Sequence, residues 1–240
     1  MTLALACLAS LIAAAASAQP APPKPFSNTM EGAYGETSGN TDTKTLRGSN
    51  TLTLFREPYA LTLRASAYFT KFQNATAAEW YSGDGRVDRR LGERFYVYTL
   101  GGWERNRFAG VENRAQGNAG PGALLLYTRR QSLRLEPGLG HFNEERTDRS
   151  TVNALQGRAS LDYQATLTES SRFRQELEGY YNIDHPRDHR ARLASTLYMA
   201  FNKTLGVQWS YTYLYRGAPI PGFRRVDRIL STGLYASFSP

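Results

Sequence analysis

The stretch "SSRFRQELEGYYNID" (170–184) separates, taken at alternate positions, into two unlike sets. Ser171, Phe173, Gln175, Leu177, Gly179, Tyr181 and Ile183 make a mostly apolar face with aromatics near both ends. Arg172, Arg174, Glu176, Glu178, Tyr180, Asn182 and Asp184 make a face that is almost wholly charged. A period of two is the mark of a strand whose sides meet different surroundings. A strand this long, apolar on one side and charged on the other, fits a barrel wall with Phe173, Leu177 and Ile183 toward lipid and the charges toward the lumen.

The same alternation recurs from Met30 almost to the end, with no helical stripe, in about twelve segments. They fall near 30–38, 43–56, 59–72, 77–90, 94–107, 112–128, 131–144, 151–165, 170–184, 188–202, 204–216 and 226–238. In 151–165, Leu155, Gly157, Ala159, Leu161 and Tyr163 oppose Gln156, Arg158, Ser160, Asp162 and Gln164. A mean hydropathy of −0.50 suggests a soluble chain, but alternating faces cancel in such an average. These segments are about twice the ~5–6 residues usual in globular sheets and meet the ~9–11 that a tilted strand needs to cross a bilayer.

Connections and aromatics sharpen that reading. Short links ("REP", "LGE", "TRR", "TLTES", "NK") alternate with mostly longer ones ("QNATA", "RFAGVE", "NEERTDRS", "HPRD", "GAPIPGFRR"), as tight periplasmic turns alternate with outer loops. Tyr59, Phe95, Tyr127, Tyr163, Phe173, Phe201 and Phe238 mark one end of the apolar faces; Phe69, Tyr81, Trp103, Tyr181, Tyr213 and Tyr215 mark the other. Phe95 to Trp103 spans on the order of 25 Å of strand, which sets two girdles around an apolar band. A soluble β-sandwich would have shorter strands and gather its aromatics mid-strand. The predicted fold is therefore all-β, an antiparallel transmembrane outer-membrane β-barrel of about 12 strands over residues 30–240, with both termini periplasmic. Pro121 and Pro137 fall inside strands of that ladder, where a missing donor costs hydrogen bonding; Gly120 and Gly122 flank the first and suggest a bulge, and Gly138 follows the second.

The residues before the barrel read as export machinery. "MTLALACLASLIAAAASA" (1–18) is small and apolar and ends in Ala16-Ser17-Ala18, the pattern of a cleaved signal peptide, although no basic residue precedes the apolar run. "QPAPPKPFSNT" (19–29) reads as an extended Pro-rich periplasmic leader. Removal of Cys7 with the signal leaves no cysteine, so the mature chain relies on its hydrogen-bond ladder rather than on disulfides.

"GETSGNTDTKTLRGS" (35–49), "LGERFYVYTLGGWERNRFAG" (91–110) and the closing "STGLYASF" (231–238) resemble the YdiY-like, salt-induced outer-membrane proteins, a family of unknown function. The resemblance covers nearly the whole mature chain. It implies a Gram-negative outer-membrane barrel, with no established activity and no catalytic residues to carry over. It also implies the barrel-assembly machinery as a partner during biogenesis. Such barrels usually end on the aromatic that this machinery reads; here Phe238 is followed by Ser239 and Pro240, which displaces the signal by two residues.

Function is to be sought in the inward-parity charges. The lumen-facing candidates are Arg64, Asp84, Arg86, Asp88, Glu104, Arg114, Arg134, Glu136, Arg158, Asp162, Arg172, Arg174, Glu176, Glu178 and Arg192; Arg47, Arg90, Arg94 and Arg216 share their parity. Arginine exceeds acid, in line with a net charge of +8, and lysine is scarce, which suits planar bidentate groups in a confined space. Two readings follow: the charges pair across strands and close the lumen, or they line a passive channel for small, anionic solutes. In the closed reading, a structural barrel binds lipopolysaccharide or a partner through its loops. Arg187, Arg190, Arg224 and Arg225 form a basic rim that suits lipopolysaccharide phosphates or simply solvent.

Nucleic acid is excluded as a partner because the arginines are spread along strands with no groove-entering element. Enzyme chemistry has little to stand on. In "DHPRDH" (184–189), His185 and His189 have a metal-like spacing but sit in a Pro-containing loop without a third ligand. Together with His141 they leave an outer-membrane hydrolase as the third reading, but no nucleophile motif accompanies Ser150, Ser171 or Ser195. No phosphate loop, cysteine cluster or EF-hand pattern is present, so no cofactor or metal is expected.

Overall fold

A computed structural model describes residues 24–37, 43–72 and 75–238. The signal-peptide reading of 1–18, most of the leader and Ser239-Pro240 lie outside the described residues. Twelve antiparallel strands close into one barrel, each hydrogen-bonded to its sequence neighbours and β1 to β12. They are β1 (Phe26–Thr37), β2 (Thr43–Arg56), β3 (Tyr59–Phe72), β4 (Ala75–Arg90), β5 (Phe95–Asn106), β6 (Val111–Tyr127), β7 (Gln131–Arg146), β8 (Thr151–Thr166), β9 (Ser171–Asn182), β10 (Arg190–Ala200), β11 (Leu205–Arg216) and β12 (Val226–Phe238). Closure pairs the backbone around the wall, which is the condition for a sheet to sit in lipid.

The alternation sorts as the sequence predicts. Along β5, Tyr96, Tyr98 and Leu100 are buried, whereas Phe95, Val97 and Trp103 are exposed on the outer surface. Leu139, Leu155, Leu177, Leu230 and Leu234 continue that apolar outer surface. Some polar residues that fall on it are paired within the wall: Gln175 donates to the Ala194 carbonyl at 3.1 Å and accepts from Ser195 at 2.7 Å, and Asn28 and Asn50 bond each other at 3.0 Å.

Several details differ from the sequence reading. β1 begins at Phe26, not near residue 30, because the Phe55 N–H bonds the Pro25 carbonyl and carries the β1–β2 ladder down to Phe26–Leu54. The contrast between short and long connections is also weaker. Strand pairing consumes most of "QNATA", "RFAGVE" and "NEERTDRS", leaving, among the described residues, a 3-10 turn (Arg107–Ala109) and a tight turn at 147–150. Among the described residues, the long connections that remain are 183–189 and 217–225. Tyr127 is not on the outer girdle: a register shift between Leu124 and Leu126 pairs it with Ser132, on the luminal side beside Arg134. Arg94 lies in the 91–94 turn and not in the wall.

Candidate functional site

The lumen is filled on one side only. Along the β4–β8 wall, Arg86 reaches across to Glu136 on β7 in a bidentate pair (2.8 and 2.6 Å) and also donates to Asp88 at 2.6 Å. Tyr96 Oη donates to Glu136 at 2.5 Å, and Arg158 donates to Tyr98 Oη at 2.9 Å and to Glu178 at 2.8 Å. Arg86 lies 4.8 Å above the Tyr98 ring and Arg158 5.2 Å from it. Strands β4 and β7 are not neighbours, so the Arg86–Glu136 bonds cross the barrel interior. Two guanidinium groups, two tyrosines and their carboxylates thus make a buried block.

A second knot holds the long-loop end. Glu144, with 0% exposure, accepts from Arg114, Arg146 and Arg216. Arg146 also donates to Asp188 at 2.7 Å, which ties the 183–189 connection into the lumen. Glu144, Arg146, Asp188 and Arg216 were not singled out as a group from the sequence, since their meeting depends on strands far apart in the chain. Arg190, read there as a rim residue, is in fact stacked between the rings of Phe142 and Tyr180 (4.8 and 4.9 Å) and donates to Gln156 at 2.7 Å.

The opposite side is open. A cavity of about 370 Å³ is lined by residues of β1–β6 and β9–β12, together with Arg224 and Arg225 of the 217–225 connection; β7 and β8 contribute none of its lining. Its walls carry nine arginines (47, 64, 114, 174, 190, 192, 216, 224, 225) against six carboxylates (31, 84, 104, 176, 178, 227), an excess of three positive charges. Pairing within the walls is also uneven. Arg174 holds Asp162 and Glu176 at 2.9 Å, and Arg134 also takes Asp162, at 2.6 Å. Arg192 stands 3.7 Å from Glu176. Arg47, Arg64, Arg190, Arg224 and Arg225 have no carboxylate in ion-pair range among the described residues. Arg64 is directly opposite Asp84 in the β3–β4 register, yet the two do not bond, and Asp84 Oδ2 is left without a partner.

Of the candidates named from the sequence, Arg86, Asp88, Arg114, Arg134, Glu136, Arg158, Asp162 and Arg174 belong to bonded clusters, Arg114 and Arg174 lining the cavity as well. Arg64, Asp84, Glu104, Glu176, Glu178 and Arg192 line the cavity. Arg172 is outside it, near the short-turn end, 5.7 Å from the Tyr198 ring. At its lower limit the cavity lining stops at Glu31, Thr51, Tyr198 and Gln208. There Tyr198 donates to Glu31 across the lumen at 3.3 Å, and Tyr235 packs edge-on against it at 5.4 Å between ring centres.

His189 is in contact with the Pro186 carbonyl (3.2 Å) and the Tyr215 ring, and Ser150 bonds Asp148 at 2.6 Å. No histidine bonds a serine, and no cluster of three or more His, Cys, Asp or Glu is placed to hold a metal, among the described residues.

The chain matches the family described as a protein of unknown function, DUF481, over residues 31–238. It is 28% identical to the uncharacterised protein YdiY of Escherichia coli K12 over 196 residues, covering 82% of this chain and 76% of YdiY. In structure it resembles an outer-membrane channel of Pseudomonas putida F1, with a TM-score of 0.55, 10% identity, and coverage of 93% of this chain and 98% of that one. It also resembles the NanC porin, with a TM-score of 0.51, 10% identity, and coverage of 89% and 98%. These likenesses establish the fold, that of outer-membrane β-barrels.

Proposed function

For a chain that belongs to the DUF481 family, we propose a role as an outer-membrane barrel that admits small anionic solutes into an arginine-lined vestibule, with both termini periplasmic and the 183–189 and 217–225 connections outside. The observation that carries this reading is the uneven pairing of charge. Carboxylates of the β4–β8 block and of the Glu144 knot are consumed by arginines, while Arg64, Arg224 and Arg225 are left facing the cavity without one. Fixed positive charge around a narrow aqueous path lowers the entry cost for anions, and the carboxylates retained in the wall keep binding weak enough for release. In this reading Arg64 and Arg192 select, while Arg86, Arg114, Arg158 and Arg174 hold the wall.

A second reading has a specific observation behind it. The Glu31–Tyr198 bond and the Tyr198–Tyr235 contact form a floor beneath the cavity. A floor that stays shut makes the vestibule a binding pocket instead of a pore, with the basic loops meeting lipopolysaccharide or a partner. Planar-bilayer recording of the refolded chain, with reversal potentials in a salt gradient, separates the two. Stable current steps with anion preference support permeation. Steps without that preference refute the arginine assignment, and silence from protein shown to be folded leaves the closed vestibule.

A further inference from the structure

The lumen-facing wall of β3 and β4 carries three cross-strand pairs in a row: Arg64 with Asp84, Ser66 with Ser82 and Tyr68 with Trp80. All six residues line the vestibule. The serine hydroxyls bond each other at 2.6 Å, but the charged pair does not close in the same way. Among the described residues neither Arg64 nor Asp84 makes a hydrogen bond or an ion pair, and Asp84 Oδ2 is buried without a partner. On its other side Asp84 is paired with Gly102 of β5, so no side chain at that position covers the carboxylate.

A buried carboxylate oxygen without a donor is costly, because it has given up water and gained nothing in exchange. A guanidinium free of any acid is a receptor for a planar carboxylate, which it holds by two parallel bonds. The two requirements differ in sign. A simple anion answers Arg64 and is repelled by Asp84, and a simple cation does the reverse. A molecule with an ammonium and a carboxylate on one carbon answers both at once, and each contact is a charge-assisted bond.

We propose that this ledge binds the amino-acid head group, its carboxylate on Arg64 and its ammonium on Asp84, and that the preferred solute is an acidic α-amino acid. A second acid group suits the cavity walls, whose charged residues leave an excess of three positive charges. The Trp80 indole N–H, buried without an acceptor, adds a donor at the far end of the ledge. The inference rests on the vestibule reading, since it takes the same cavity as the site, and narrows it from small anions to amino acids of net negative charge. It does not depend on whether the floor opens.

Isothermal titration calorimetry of the refolded chain in uncharged detergent tests it with L-glutamate, N-acetyl-L-glutamate and glutarate. The two comparison compounds keep both carboxylates and lack the ammonium. Saturable binding of glutamate is expected, about tenfold tighter than that of either comparison compound, as for one charge-assisted bond. Asp84→Asn, which keeps the shape and removes the charge, abolishes that preference without weakening glutarate. Arg64→Gln weakens all three about tenfold, and Arg172→Gln, outside the cavity, alters none. The ligand comparison uses the unaltered chain, so it stands even where a variant fails to fold. Equal binding of glutamate and glutarate, or a glutamate preference that survives Asp84→Asn, overturns the amino-acid inference and leaves the anion vestibule standing. Binding of none of the three, by protein shown to be folded, overturns both.

Discussion

Pro121 and Pro137 stand opposite one another across the β6–β7 ladder, midway between the Ala119–Leu139 and Ala123–Leu135 pairs. Two missing donors, each awkward in a closed wall, therefore fall in one interruption. From the lumen, Tyr98 Oη donates to the Pro137 carbonyl at 3.3 Å. The glycines around the gap allow the rings to lie on the wall. A Cβ on Gly138 would meet Tyr98 Oη at 2.2 Å, and one on Gly122 would meet the Tyr96 ring at 2.3 Å.

Gly138→Ala is accordingly expected to lift Tyr98 and disturb the Arg158 and Arg86 contacts stacked on it. Overpacking of this kind costs about 1–3 kcal/mol. Gly157→Ala, where a Cβ meets nothing within 4 Å, serves as the control. Urea unfolding of the refolded barrel in detergent checks both, and equal midpoints would show that the block yields without cost.

The Arg86–Glu136 pair is the centre of that block. Glu136→Gln removes the charge that Arg86, Arg158 and Tyr96 all address, leaving Arg86 buried with Asp88 as its one remaining carboxylate and Arg158 with Glu178. Breaking a buried pair in this way costs about 3–5 kcal/mol, whereas replacing both partners by apolar residues of similar volume is often near neutral. Glu136→Gln should thus unfold at markedly lower urea than the parent, and Arg86→Met/Glu136→Leu should recover much of the difference. A double variant no better than the single one would mean that Asp88 and Tyr98 fix Arg86 independently.

How much of this was legible follows from the range of each interaction. The two faces of 170–184 are local, so alternate-position reading assigns Arg174 and Leu177 to opposite sides without any tertiary knowledge. Nearly the whole wall follows by repetition. Tyr127 escaped because a single bulged residue reverses parity for everything beyond it. The partition of the lumen was hidden for a different reason: Arg86 and Arg64 have the same residue type and parity, and differ in the Asp88 beside Arg86 and in what strand β7 presents across the interior. Glu136 reaches Arg86, and no carboxylate bonds Arg64. Arg190 was misplaced because its position beside a basic loop says nothing of Phe142, which is brought over it by barrel closure.

Access to the vestibule should be governed by the contact between Gly110 and Ile220. Gly110 ends the 3-10 turn with φ of +76°, a conformation that favours glycine, and a Cβ there would meet Ile220 Cδ1 at 2.8 Å. Ile220 is buried, and its connection also carries the cavity-lining Arg224 and Arg225. Gly110→Ala is therefore expected to push the 217–225 connection away from the mouth. In a conducting barrel this shows as larger or noisier current steps; in a closed one it shows as faster proteolytic nicking of 217–225 with the barrel intact. Unaltered current and nicking would mean that the connection adjusts without leaving the mouth.

Arg64 and Arg158 give the sharpest contrast between selection and scaffolding. Among the described residues Arg64 makes no hydrogen bond or ion pair, so Arg64→Gln should change stability by no more than about 0.5 kcal/mol. Arg158 bonds Tyr98 and Glu178, and Arg158→Gln leaves Glu178 short of its partner, at a cost of about 1–3 kcal/mol. The functional ordering is reversed. Removing Arg64 takes a positive charge from the cavity wall and leaves Asp84 facing it, so the reversal potential should move toward cation preference. Arg158→Gln, read in barrels that do fold, should leave the potential near that of the parent, because its charge is already cancelled within the block. Paired unfolding and reversal-potential measurements on both variants check the two orderings together. If Arg158→Gln shifts selectivity and Arg64→Gln does not, the path of the solute lies along the β4–β8 block and not through the vestibule.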